Sequence, residues 1–159
     1  MEQKTLAKWL KIILIGVGFC GLIVYAAVIP GYGASLVSQY PEFSGRYWPW
    51  LIFLWLTGVP CYAALVLGWR VAVNIGQDRS FSLENAKLLA GISRLAAGDA
   101  VFFFAGNVAL LLLNMSHPGV VLLSLLAVFA GVAVSVAAAC LSHLVRKAAD
   151  LQEQSDLTI

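Results

Sequence analysis

Charge is what this sequence has least of. Lys, Arg, Asp and Glu together make up 11% of it, against about 25% in a soluble domain. A chain of 159 residues that is 61% hydrophobic cannot hide its apolar side chains from water, because a domain of about 150 residues still exposes roughly a third of its chain surface. A soluble enzyme, a disordered tail and a collagen-like fibre are excluded. The net charge of +2 is too small for direct nucleic-acid binding. Cysteine is sparse: Cys20, Cys61 and Cys140 each sit in an apolar run with no CxxC pair. A thiol oxidoreductase needs a paired, accessible dithiol, so these read as structural residues. The two histidines, His117 and His143, fall near opposite membrane faces, so no metal site is expected and no cofactor is implied. Ser, His, Asp and Cys do not cluster at one depth, and no catalytic residues are expected.

Long uncharged runs are what remains. No Asp, Glu, Lys or Arg lies between Lys11 and Glu42, between Arg46 and Arg70, or between Asp99 and Arg146. A membrane span needs about 20 apolar residues. The first run predicts one helix over 12–29, stopped by Pro30 and Gly31. The second predicts a helix over 50–73, opened by Pro49. The third is long enough for two, 96–114 and 118–143, divided by Asn114-Met115-Ser116-His117, with Pro118 in the first turn of the last helix. The expectation is an all-α, integral membrane four-helix bundle forming a single domain over 1–159.

Lys and Arg set the orientation. One side would carry Lys4, Lys8, Lys11, Arg70, Arg79, Lys87, Arg94, Arg146 and Lys147; the other carries only Arg46. Both termini are therefore expected in the cytoplasm, with outer connections at 30–49 and around His117. Tyr40, Phe43, Tyr47, Trp48 and Trp50 crowd the outer edge, and Trp9 and Trp69 mark the inner one, as interfacial anchors do. A cleavable signal peptide is the rival reading of the first helix. Its apolar stretch is longer than the usual core of about 7–15 residues, and no small-x-small site follows it. The first helix is expected to be retained.

Two patterns in the spans resemble functional signals. Gly16-Val17-Gly18-Phe19-Cys20-Gly21 is a literal GxGxxG. A nucleotide-binding turn needs an amphipathic helix after it and further strands, and the chain here stays apolar, so the glycines read as close helix packing. In the fourth span Ala127, Gly131, Ser135 and Ala139 recur every four residues, with His143 continuing the row. Such a stripe lets another backbone approach. Packing inside the bundle is the ordinary reading and a homodimer face the alternative.

Asp99 is the one acid within a span. Counted from 114, it lies about 22 Å below the outer end of its helix, inside the inner leaflet. Intramembrane acids default to a proton or cation site. An ion pair with Arg70, at a matching expected depth, is the plainer reading.

The connection between the second and third spans predicts an amphipathic helix over 83–95, capped by Ser82 with Glu84 in its first turn, running unbroken into the third span. The fourth helix also overshoots the bilayer, past Arg146 and Lys147. Helices 3 and 4 are thus expected to extend into the cytoplasm. Lys87 and Arg94 lie two turns apart on the polar face and are candidates to hold an acidic patch of a partner. The tail, 152–159, ends in Asp156, Leu157, Thr158 and Ile159, whose alternation suits an extended segment able to add to a partner's sheet edge or groove.

The stretch NIGQDRSFSLENAKLLAGISRL and the ending LVRKAADLQEQSDLTI resemble a four-span bacterial membrane family, domain of unknown function 2975. The matching residues are Ile75, Gly76, Phe81, Asn85 and Ile92, then Leu151, Glu153, Asp156, Leu157 and Thr158. The family has no agreed biochemical activity. Its members are often encoded beside a small DNA-binding regulator of the Cro/repressor type, so the resemblance implies a regulatory partner. The functional expectation is a non-enzymatic sensor or signalling protein of the bacterial inner membrane that binds such a regulator. The alternative is a small oligomeric transporter or channel using Asp99.

Overall fold

The structure, a computed structural model, describes residues 2–156. Every regular element among them is helical: α1 (Gln3–Ile23), a π-helical turn (Val24–Val28), α2 (Ile29–Gln39), a 3-10 stretch (Pro41–Arg46), α3 (Tyr47–Gly76), α4 (Leu83–Leu112) and α5 (Pro118–Asp156). They make four rods, Gln3–Gln39, Pro41–Gly76, Leu83–Leu112 and Pro118–Ser155, each long and apolar enough to cross a membrane. The cause is backbone chemistry. In hydrocarbon no water takes up an unpaired N–H or C=O, and a helix pairs them within the segment. The chain is an all-α protein with four membrane-length helices.

Local signals end the rods. Asp78 (φ 59°) and Asn114 (φ 53°) adopt left-handed backbone after α3 and α4, a conformation that short polar side chains tolerate better than most. Ser82 caps α4 by accepting from the Asn85 N–H at 3.2 Å. As the periodicity of the sequence implies, the amphipathic stretch 83–95 and the third span are one helix.

The first rod departs from expectation. It does not stop at Pro30 but continues to Gln39, so the anticipated outer connection at 30–49 is mostly helical. A proline ring inside an α-helix clashes with the carbonyl four residues earlier. Here that residue is Ala26, inside the π turn, where the wider winding moves the carbonyl aside. The Pro30 carbonyl accepts from the Tyr47 hydroxyl at 3.3 Å. The tail differs too: α5 runs through Asp156, so Asp156 ends a helix instead of opening an extended segment. Leu157, Thr158 and Ile159 lie outside the described residues.

Among the described residues, the helices approach one another only as chain neighbours: the first rod with α3, α3 with α4, and α4 with α5, the most extensive of the three. The rods form an open row, and α5 meets neither α1 nor α3 in this way. Each interface keeps one antiparallel register. Gly18 lies opposite Leu65 and Gly58 opposite Tyr25; Gly91 lies opposite Leu67 and Gly106 under the Phe53 ring; Ser135 bonds to Ser93, and Ser142 to the Ala86 carbonyl at 2.7 Å. Gly33 and Gly106 are close-approach positions, since a Cβ there would overlap the Trp50 and Tyr47 rings or the Phe53 ring respectively. Trp50, Leu51 and Leu54 form the main apolar cluster, joined by Phe53, Phe103 and Leu110.

At the end rich in Lys and Arg, side-chain amides fasten α3 to α4. Asn74 Nδ2 donates to Asn85 Oδ1 at 2.9 Å, and Asn85 Nδ2 donates to the carbonyls of Arg79 and Ser80 at 3.1 and 3.0 Å. The Arg79 guanidinium closes the ring on Asn74 Oδ1 at 3.2 Å. Asn85 is 1% exposed. Asn85→Ala leaves Asn74 and two carbonyls without their partner, at about 1–3 kcal/mol. It is expected to lower the thermal midpoint in detergent more than Ser82→Ala, which removes only a cap of about 1 kcal/mol. Equal losses would show that the amide latch adds nothing.

Candidate functional site at mid-height of the row

Asp99 stands near the middle of α4, and the register sets it beside Cys61, at the middle of α3. The Cys61 thiol donates to Asp99 Oδ2 at 3.5 Å. Asp99 Oδ1 is buried and makes no hydrogen bond. From the first rod, the Tyr25 hydroxyl reaches Thr57 Oγ1 at 3.1 Å and also faces the Cys61 thiol. Thr57 Oγ1 donates to the Leu54 carbonyl at 2.7 Å. Tyr25, Thr57, Cys61 and Asp99 therefore form a polar cluster across three helices.

Two backbone irregularities flank it. Tyr25 lies in the π turn, and its carbonyl accepts from the Trp55 indole at 3.0 Å. π turns inside α-helices recur at functional sites. Pro60, next to Cys61, lies inside α3, where it removes one backbone donor. An open groove of about 490 Å³ between α3 and α4 reaches Asp99; Leu56, Val59, Pro60, Gly98 and Phe102 line it, with Arg94 toward the basic end. A charged side chain at the centre of a membrane helix costs roughly 2.5–3.5 kcal/mol on insertion scales. The cluster offers neutral donors and acceptors against that cost, and such a set suits holding or passing a proton.

The expected Asp99–Arg70 pair is not formed. The antiparallel register puts Cys61, not Arg70, level with Asp99. Arg70 is nine residues further along α3, about 13.5 Å away along the axis, and it is exposed. Asp99 lies near the middle of α4, which runs from Leu83 to Leu112.

The remaining candidates are spread over the row. Lys87 and Arg94 are both exposed on α4, and the Arg94 Nε donates back to the Ala90 carbonyl at 3.3 Å. Gly131 and Ser135 face α4: a Cβ on Gly131 would sit 3.3 Å from that of Ala100, and Ser135 bonds to Ser93. Ala127 and Ala139 are exposed. A strict four-residue row rotates about 40° per step around a helix of 3.6 residues per turn, so its ends leave the interface. The buried positions Ser124, Ala138 and Ser142 complete the face instead. No group of three or more His, Cys, Asp or Glu side chains suited to a metal occurs among the described residues.

Tyr25, Thr57 and Cys61 were missed as site residues. Thr57 and the Pro60-Cys61 pair inside an apolar span were the available signal, but only the register joins them to Asp99. At the end opposite the Lys- and Arg-rich one, Tyr40, Phe43, Arg46, Trp50 and His117 line a cavity of about 40 Å³, room for about one water.

Fold and site define a small multi-pass membrane protein with an uncompensated carboxyl at mid-height. The sequence model of DUF2975, proteins of unknown function, matches residues 31–159, and the chain belongs to that family. It is 26% identical to the uncharacterized membrane protein YoaS of Bacillus subtilis (strain 168), over 99% of each chain. No solved structure matches it.

With Arg70 remote, Arg70→Gln and Asp99→Asn should act independently. Their effects on detergent stability are expected to add to within about 0.3–0.5 kcal/mol, and Asp99→Asn, which removes an unpaired buried carboxyl, should not lower it. A double variant that recovers stability lost in both singles would restore the ion pair.

Proposed function

We propose that this is a non-enzymatic sensor or signalling protein of a bacterial inner membrane, with both termini cytoplasmic, that binds a cytoplasmic DNA-binding regulator of the Cro/repressor type. The observation that carries the reading is the braced basic end. α5 has 39 residues, about 58 Å of helix, against a hydrocarbon core of about 30 Å. Its last turns stand beside the α3–α4 connection, which the Asn74–Asn85 latch holds. A groove between them is lined by Arg79, Phe81, Leu83, Ala149, Gln152 and Glu153, and Phe81 is 59% exposed there. A bulky apolar side chain on a polar, rigid end suits a protein partner more than lipid. Lys87 and Arg94 give the same end a positive face for an acidic patch. No cofactor and no direct contact with nucleic acid is part of the reading. A homodimer is compatible with the open row.

The Lys and Arg distribution supports the orientation. In a chain freed of native cysteines, a membrane-impermeant thiol reagent on intact cells is expected to label Ser38→Cys and to spare Ser155→Cys; labelling at 155 reverses the topology. A pull-down from native membranes tests the partner. Deleting 156–159, or reversing the charge of Lys87 and Arg94, should release the regulator without changing helix content. Its retention by both variants would remove the tail and the basic face from the mechanism.

A second reading, an oligomeric transporter or channel, is favoured by the uncompensated Asp99 carboxyl. A proton-coupled flux in liposomes that disappears in Asp99→Asn would decide for it.

A further inference from the structure

We propose that Asp99 holds a bound proton at neutral pH, in an intramembrane site built by Cys61, Tyr25 and Thr57 and open to the lipid phase through the α3–α4 groove. The proposal shares its residue with the transport reading but not its claim, since a bound proton requires no flux.

Three observations carry it. First, no Lys, Arg or His among the described residues pairs with the carboxyl. Arg94 is five residues away on the same helix, about 7.5 Å, and its Nε is engaged by the Ala90 carbonyl, toward the basic end. Arg70 lies further off. Second, the groups facing Asp99 from the packed helices are neutral hydrogen-bonding ones: Cys61 from α3 at 3.5 Å, with Tyr25 behind it from the first rod. Tyr62 turns the other way, to the Gly18 carbonyl at 2.9 Å. Between Pro118 and Ser142, α5 brings no ionisable side chain except Cys140, which is exposed. Third, Oδ1 is buried without a partner. An ionised carboxylate asks for donors on both oxygens. A thiol is a weak donor, and one weak bond does not hold a charge in hydrocarbon.

Protonation removes the charge that these surroundings leave unbalanced and lowers the cost of the unpartnered oxygen. A proton from water adds to the carboxylate, no other bond changes, and the charge is gone. The Cys61 sulfur then either gives or takes the one hydrogen bond to the carboxyl. Exchange needs a route to water, and the open groove that Asp99 lines with Val59, Pro60, Gly98 and Phe102 also has Arg94 on its wall, toward the basic end. The same groove admits a lipophilic reagent.

The other acids whose side chains are described, Glu2, Glu42, Asp78, Glu84, Asp150 and Glu153, are exposed, and an ordinary solvated carboxyl is ionised at pH 7. Infrared spectroscopy of the full chain in lipid can therefore read Asp99 in the unaltered protein. A protonated-carboxyl C=O band is expected at neutral pH, persisting to a pH at which solvated carboxyls are fully ionised. It should be absent in Asp99→Asn, shifted in Asp99→Glu, and present but moved in Cys61→Ala, which removes a hydrogen bond without removing the proton. Dicyclohexylcarbodiimide, a hydrophobic reagent that adds to protonated carboxyls, should leave its N-acylurea mass on the Asp99 peptide severalfold more than on any other. Absence of the band overturns the proposal. A band without the adduct overturns the lipid-facing access. Should Asp99→Asn fail to insert, the pH titration of the band in the unaltered chain and its shift in Cys61→Ala still decide the assignment.

Discussion

A backbone N–H in hydrocarbon has no water to turn to, and the rest of this structure follows from that constraint. Each span must pair its own backbone, so each is a helix, and its departures from α geometry stay local. The departures are the π turn at Val24–Val28 and Pro60 in α3, and at the first of these the Trp55 indole bonds the Tyr25 carbonyl. The same constraint relaxes tertiary demands. Lipid tails are as apolar as leucine, so helices gain little from hiding apolar faces from one another. An open row with Leu122, Leu126 and Phe129 facing outward is acceptable in a membrane, where a soluble chain would have to close around them.

Association in such a setting depends on close approach and on polar contacts. The row uses both. Small residues let the backbones approach at Gly33, Gly106 and Gly131. Hydroxyls and amides join neighbours at Ser93–Ser135, at Ser142 with Ala86 and at Asn74–Asn85. Asn107, 2% exposed, satisfies itself on the Phe103 carbonyl at 2.8 Å. Against this pattern Asp99 and Ser116 each leave one buried oxygen without a partner, and of the two only Asp99 can carry a charge. The basic end of the molecule thus differs in kind from its middle: the basic end is braced and presents a surface, and the middle holds an unbalanced carboxyl with one thiol as its hydrogen-bond partner.

The residues that carry the family resemblance take on a physical meaning in this setting. Asn85 is the hub of the latch. Gly76 passes beneath Ala7, whose Cβ would lie 3.3 Å from a Cβ placed there. Both shape the α3–α4 connection instead of reaching outward. Phe81 does reach outward. The motif therefore combines residues that build the end of the row with one that presents it.

The sequence by itself determined what depends on composition and local chemistry. Uncharged length placed four spans in order, Ser82 announced the start of α4, and the polar turn before Pro118 separated the last two helices. These are decided within a few residues of chain. The course of the first rod past Pro30 was not legible, because proline was weighed without the π turn that moves Ala26 out of its way. Asp99 was legible as an unusual residue, but its surroundings were not. Counting along one helix gave it Arg70 as a partner, whereas the register of α3 against α4, in which Gly91 meets Leu67 and Gly106 meets the Phe53 ring, gave it Cys61. A four-residue stripe likewise named Gly131 and Ser135 together with Ala127 and Ala139, and only the direction from which α4 approaches separated them. Rotation and register between helices are properties of two surfaces fitting at once, and no single segment encodes them.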